Sequence, residues 1–393
     1  MTKQQKNYLS GQELEEAIEA NKFIYDEHYR EDFADSIIQT VLNVLDPTYF
    51  RTELVGFDDL PERNNPDVPL IYASNHSGMA FPWDAMVFGA KLYRKAGNSF
   101  YNAARPLSAP MLSQSNLMNP YMIPNLWKKV GAVDATSINF ETMMRQSDAN
   151  VLIYPEGVPG IGKGFHRRYQ LQKFSTSFIR MSIKHKTDII PVHTINGEYI
   201  HPYSYASKRI NKIANLIGIP FLPISYILPL ILLQPWLFYH AFPSKLIYVK
   251  GKRISPWKWV DKPFEELTRQ EFEAIRDRVH QQMQGEMDEA VEEHGKKPYR
   301  WSELWKSTKK NFKTFPFSFP FCWPLVFLEF ERQWKKQGAS GRMYIDFDKA
   351  SFWKVLFRNP IAIFYYIPIL GWIPLAYRGL KGRDPNAKVW TGE

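Results

Sequence analysis

His76 and Asp84 are the residues whose types and spacing best suit proton chemistry. They lie in Asn75-His76-Ser77-Gly78-Met79-Ala80-Phe81-Pro82-Trp83-Asp84, with seven residues between them. An imidazole titrates at about 6.5 when unperturbed, so it can accept or release a proton near neutrality. A carboxylate on the second ring nitrogen fixes the tautomer and stabilises the imidazolium as it forms. The chain has no Gly-x-Ser-x-Gly elbow, so no serine nucleophile of that type accompanies the pair. A His–Asp pair without a nucleophile of its own suits a base that activates a hydroxyl on a substrate.

Such a pair has to be positioned by something rigid. Leu70-Ile71-Tyr72-Ala73-Ser74 is a short apolar run that reads as a buried strand delivering His76. Residues 84–95 return to helical spacing through Met86, Val87, Ala90 and Tyr93, which gives strand, loop and helix in succession. Val151-Leu152-Ile153-Tyr154 is a second buried strand, ending at Pro155-Glu156-Gly157. Residues 188–194 and 245–250 read as further strands. Strands alternating with helices in this order predict an α/β sandwich. Between the first two strands, residues 102–129 are rich in Met, Pro and Asn. They read either as irregular cover for the core or as part of an apolar slot, where flexible Met side chains adapt to an acyl chain.

The loop Gly157-Val158-Pro159-Gly160-Ile161-Gly162-Lys163-Gly164 nearly spells a phosphate-binding P-loop. Position 164 is Gly, however, where such loops need a magnesium-binding hydroxyl, and Pro159 removes an amide from the cradle. Lys163 in this loop, with Arg167 and Arg168 at the start of a basic stretch, residues 165–186, that reads as helical, suits an anion. These three are expected to contact phosphates of a substrate.

Asn75-His76-Ser77-Gly78 with Pro82-Trp83-Asp84 resembles the first motif of the glycerolipid (lysophospholipid) acyltransferase family. Val130-Gly131-Ala132-Val133-Asp134, Tyr154-Pro155-Glu156-Gly157 and Ile189-Ile190-Pro191-Val192 are similar to the blocks that follow, in the same order. The resemblance implies an acyltransferase, with acyl-CoA or acyl carrier protein as co-substrate and no tightly bound cofactor or metal. It implies His76 as base, Asp84 as its orienter, and Glu156 with Gly157 as the pair that positions the acceptor. Two departures stand out: family members usually place the Asp closer to the His, and the second block commonly carries an Arg where Asp134 and Ala135 stand here. An Asp134 facing the acceptor would repel a phosphate, so a neutral hydroxyl acceptor is expected to compete well with lysophosphatidic acid. The alternatives are a non-catalytic membrane-binding protein of the same fold, or a nucleotide-binding protein using residues 157–164.

The 393 residues divide by character into a polar lead (1–35), an acyltransferase domain (36–256), an amphipathic helical segment (257–300) and an aromatic C-terminal region (301–393) expected to associate with membrane. A helix is expected over residues 36–45, stopped by Pro47, and a capping box at Thr268-Arg269-Gln270-Glu271 opens the long amphipathic helix. The single Cys322 excludes an internal disulfide and a cysteine metal site. A net charge of +10 favours an anionic partner, and with 15% aromatic residues and no nucleic-acid motif that partner is expected to be lipid. The uncharged run 219–243 is long enough to span a bilayer, but Pro220, Pro223, Pro229 and Pro235 interrupt it. Peripheral or monotopic attachment at a cytoplasmic membrane face is therefore expected, with Trp236, Phe238 and Tyr239 among the docking side chains.

Overall fold

The computed structural model describes residues 11–78, 80–216 and 222–378. The expectations placed on residues 1–10, 219–221 and 379–393 fall outside them. Seven strands form one sheet: β1 (Glu53–Val55), β2 (Ile71–Ser74), β3 (Ala104–Ser108), β4 (Val133–Asp134), β5 (Asn150–Ile153), β6 (Ile189–Ile195) and β7 (Ile247–Lys250). Their order is β1-β7-β6-β2-β5-β3-β4. Strands β6, β2, β5, β3 and β4 run parallel, while β7 pairs antiparallel with β6 and carries β1 beside it. In the register, Ile71 lies opposite Val151 on one side and Ile189 on the other.

The apolar run of β2 is uninterrupted because helices cover both faces of the sheet, as parallel sheets require. Leu70 and Tyr72 enter one core and Ile71 and Ala73 the other. Helices Ser137–Met143, Ser177–His185 and Arg269–His294 cover the second face. The last of these starts at the expected capping box, where Thr268 and Glu271 cap each other's backbone amides. A cap contributes about 1 kcal/mol, whereas buried Phe272, Val279, Met283 and Met287 contribute roughly 1.5–3 kcal/mol each, so packing decides where this helix lies.

The first face is covered by helix Trp83–Lys95, by the helical stretch from Glu31 onward, and by helix Trp323–Lys336. Phe33 makes edge contacts with Phe330 and Trp334, at ring centroids of 5.4 and 5.1 Å. The aromatic C-terminal region therefore shares one core with the N-terminal helices.

Three local expectations change. Pro47 does not stop the first helix, because the turn Asp46–Phe50 widens to accept it: the Arg51 amide reaches back five residues to the Asp46 carbonyl at 2.6 Å. In 165–186 only Ser177–His185 is a regular helix. The amides of Tyr169, Leu171 and Gln172 go instead to the side chains of Glu198, Gln284 and Glu156. Trp236, Phe238 and Tyr239 are buried at 4% exposure or less, so they are core and not docking side chains. Among the described residues, no helix is long and apolar enough to cross a membrane.

Candidate active site

The parallel strands β2, β5, β3 and β6 deliver their carboxyl ends to one edge, where open α/β sheets gather ligands. His76 leaves central strand β2 there, and Glu156 leaves neighbouring β5. The loop after His76 turns through Gly78, at φ +117°, into helix Trp83–Lys95, whose first turn holds Asp84. A helix start favours an anion, and Asp84 is fully buried. Its Oδ2 accepts from His76 Nδ1 at 2.8 Å and from the Ser77 amide at 2.9 Å. Seven intervening residues thus return the carboxylate to the ring. Trp83 Nε1 donates to the Tyr239 carbonyl at 3.0 Å and the Tyr248 hydroxyl to the Asp84 carbonyl at 2.7 Å, which anchors the helix start.

With Nδ1–H committed to Asp84, the lone pair of His76 lies on Nε2, which bonds to no group among the described residues. The ring packs on Tyr154 at 4.3 Å between centroids, and both line an apolar cavity of about 240 Å³. Leu107, Leu112, Met118 and Leu126 of the Met- and Pro-rich stretch line it too, together with Ile38 and Leu42 of the first helix. Leu117, Met122 and Ile123 pack into the core instead. The stretch is thus slot and cover in turn.

Glu156 is buried, and its two oxygens accept from the His76 amide at 3.0 Å and the Gln172 amide at 2.6 Å. Burial raises its pKa above the usual carboxylate value, against the opposing pull of Lys163 and the two amides. Its carboxylate ties the His76 loop to the 168–172 segment. A Cβ at Gly160 would come within 2.6 Å of the Glu156 Cβ, so glycine lets the loop close over it. Gly157 adopts φ +62° and ψ −153°, a region open essentially to glycine alone. Its amide donates to the Tyr154 carbonyl at 2.8 Å and so is not free to bind an oxyanion.

Lys163 departs from expectation. It lies inside the protein, 3.0 Å from Glu198, with both side chains 1% exposed. Glu198 and Glu156 outweigh burial and hold its pKa above the usual lysine value. It lines neither cavity beside His76, so Lys163 does not reach a phosphate held there. Arg167 and Arg168 are exposed, contacting Gln172 and the Phe165 ring, and line neither cavity. The cations beside the site are Lys173, Arg180 and Lys184, on a second groove of about 990 Å³ that meets the apolar cavity at Leu107, Tyr154 and Gly157. All three belong to the basic stretch of the sequence; their pointing to the site depends on the bend at 168–176.

Asp134 also departs from expectation. It accepts from Ser113 Oγ at 2.7 Å, lies 3.8 Å from Lys128, and lines neither cavity beside His76. Asp134 therefore does not stand where it would repel an acceptor phosphate.

The molecule is thus an α/β protein with a His–Asp pair at the carboxyl edge of its parallel strands, beside an apolar cavity. Residues 52–195 match the family model described as Acyltransferase, over the stretch that carries the motif resemblance. An uncharacterized protein of Mycobacterium tuberculosis is 25% identical over 211 residues, 53% of each chain. One of Mycobacterium leprae is 24% identical over 211 residues, 53% of this chain and 52% of its own. The match thus spans about half the length of these relatives. The 1-acyl-sn-glycerophosphate acyltransferase PlsC of Thermotoga maritima aligns with a TM-score of 0.33 and 13% identity, covering 68% of this chain and 82% of PlsC.

Proposed function

We propose that the protein transfers a fatty acyl group from an acyl thioester, acyl-CoA or acyl carrier protein, to a hydroxyl of a glycerolipid. The observation that carries this reading is the Nε2 of His76, without a partner among the described residues, on a ring oriented by Asp84 and lining an apolar cavity. The acyl chain occupies that cavity. Nε2 takes the proton of the acceptor hydroxyl as its oxygen bonds to the thioester carbonyl carbon. The tetrahedral adduct then expels the thiolate, which recovers the proton from the imidazolium. Asp84 stabilises the imidazolium between the two proton movements.

The groove lined by Lys173 and Arg180 suits phosphates of the donor or the acceptor headgroup, which supports a phosphorylated lysolipid as acceptor. The test uses the full chain with labelled acyl-CoA or acyl carrier protein, offered lysophosphatidic acid, another lysophospholipid and monoacylglycerol. Acylated product with the native chain and none with His76→Ala is expected. Absence of product from every donor and acceptor pair with the native chain refutes the reading.

A further inference from the structure

Two segments remote in sequence each concentrate exposed apolar side chains, and they are bonded to one another. Helix Ile227–Leu233 exposes Leu230, Leu232 and Leu233, the second of them at 61%. Residues 352–377 expose Trp353 (64%), Phe357 (78%) and Ile369 (67%), among others. Backbone and indole hydrogen bonds stitch the segments together. The Ile369 amide donates to the Leu233 carbonyl at 2.6 Å, and Trp372 Nε1 to the Leu232 carbonyl at 2.8 Å. From beneath, Gln234 Nε2 donates to the Phe364 and Ile367 carbonyls at 3.0 and 2.8 Å, and Trp236 Nε1 to the Gly371 carbonyl at 2.9 Å. Polar backbone groups satisfied inside the protein are what an element needs before it can enter a medium poor in water.

Charge selects the occupant. No Asp or Glu occurs between Glu198 and Asp261, or between Asp348 and Asp384, so both segments lie in intervals whose only fixed side-chain charges are cations. Lys354 and Arg358 are exposed beside Trp353 and Phe357. A second copy of this chain would set cations against cations, whereas an anionic leaflet attracts them. We infer that residues 227–233 and 352–377 form one platform that seats the protein in the headgroup zone of an anionic membrane leaflet. The inference goes beyond the acyl-transfer reading and stands without it, since it rests on exposure, bonding and charge.

The test measures flotation of the full chain with vesicles of phosphatidylcholine alone, or with about a third of phosphatidylglycerol. The native chain binds the anionic vesicles, and Leu232→Ser/Phe357→Ser/Ile369→Ser weakens that binding by about tenfold or more. Phe23→Ser, an exposed ring on the N-terminal segment, leaves it unchanged. Lys354→Glu reduces binding to the anionic vesicles only. Acylation of a short-chain acceptor dissolved as monomers is kept in the triple variant, so loss of docking and loss of chemistry read out separately. Equal vesicle binding by native chain and triple variant overturns the inference. So does a native dimer, dissolved by the triple substitution, in a protein that ignores both vesicles.

Discussion

Asp84→Asn tests the geometry of the site most directly. Both bonds to this carboxylate fall on one oxygen, Oδ2, from His76 Nδ1 at 2.8 Å and from the Ser77 amide at 2.9 Å. An Asn carbonyl in that place keeps both bonds, because its amino group there would face two donors. The tautomer and ring position are therefore retained, and only the negative charge is lost. A charge-assisted hydrogen bond contributes about 1.5–3 kcal/mol. Two unit charges about 4 Å apart near a protein surface interact by about 4 kcal/mol. The imidazolium accordingly loses roughly 1.5–4 kcal/mol of support, and at about 1.36 kcal/mol per decade kcat falls roughly 10- to 1,000-fold. KM should hardly move, because the ground-state imidazole is neutral. The displaced amino group occupies the place of Oδ1, a buried atom without a hydrogen-bond partner, which costs about 1–3 kcal/mol of stability. Steady-state initial rates with labelled acyl-CoA, alongside urea unfolding, give all three quantities. A kcat within threefold of native, in a protein of native fold, refutes the role given to Asp84.

His76→Ala removes the base and little packing, so it should abolish turnover while circular dichroism and the urea midpoint stay near native; residual rates within tenfold of native exclude His76 as base. Lys163→Met strands Glu198 inside the protein and should cost about 3–5 kcal/mol in urea unfolding, whereas Lys163→Met/Glu198→Met should recover much of that loss. The folded-state pKa of Lys163 is raised, so its contribution is whole below the ordinary lysine value and lost as pH climbs through the raised one. The stability gap between native chain and Lys163→Met should accordingly narrow above about pH 10.4, and a gap that is constant to pH 12 contradicts the pairing. Gly89 lines the apolar cavity on helix Trp83–Lys95 with no atom near its absent Cβ, so Gly89→Leu should fold and move the preferred acyl chain to shorter lengths in competition assays. Asp134→Arg should leave acceptor preference unchanged; a shift toward lysophosphatidic acid would place residue 134 at the acceptor after all.

The parts of the site that are local in sequence were legible there. The strand into His76, the helix carrying Asp84 and the Glu156–Gly157 turn each announce themselves by an apolar run followed by Gly or Pro. β3 was not legible. Arg105 and Pro106 interrupt its pattern, and Arg105 is tolerated only because it is buried between the rings of Tyr25 and Tyr29, at 3.7 and 4.3 Å, with its Nε donating to Gly131. The direction of a side chain was equally hidden. Lys163, Asp134 and the ring of Trp236 have the composition of surface or site residues, yet partners far along the chain (Glu198, Ser113, Gly371) turn each of them elsewhere. Conversely, residues 360–377 were readable as an aromatic, proline-broken stretch, but not their junction with residues 227–233, which depends on bonds across some 130 positions.

The wall of the apolar cavity at Ile37, Ile38 and Leu42 is itself braced by a late part of the chain. The Met343 amide donates to Ser36 Oγ at 2.8 Å and the Ile345 amide to Thr40 Oγ1 at 3.3 Å, while Trp334 packs on Phe33. During synthesis, the sheet and the His76–Asp84 pair can assemble once β7 has left the ribosome, but this brace cannot form until residue 345 follows. A nascent chain can therefore hold the His76–Asp84 pair before the wall of the apolar cavity is braced. Contacts spanning some 300 positions are also slow to close, and until they do the greasy helical stretch from Glu31 onward stands uncovered, a natural client for chaperones.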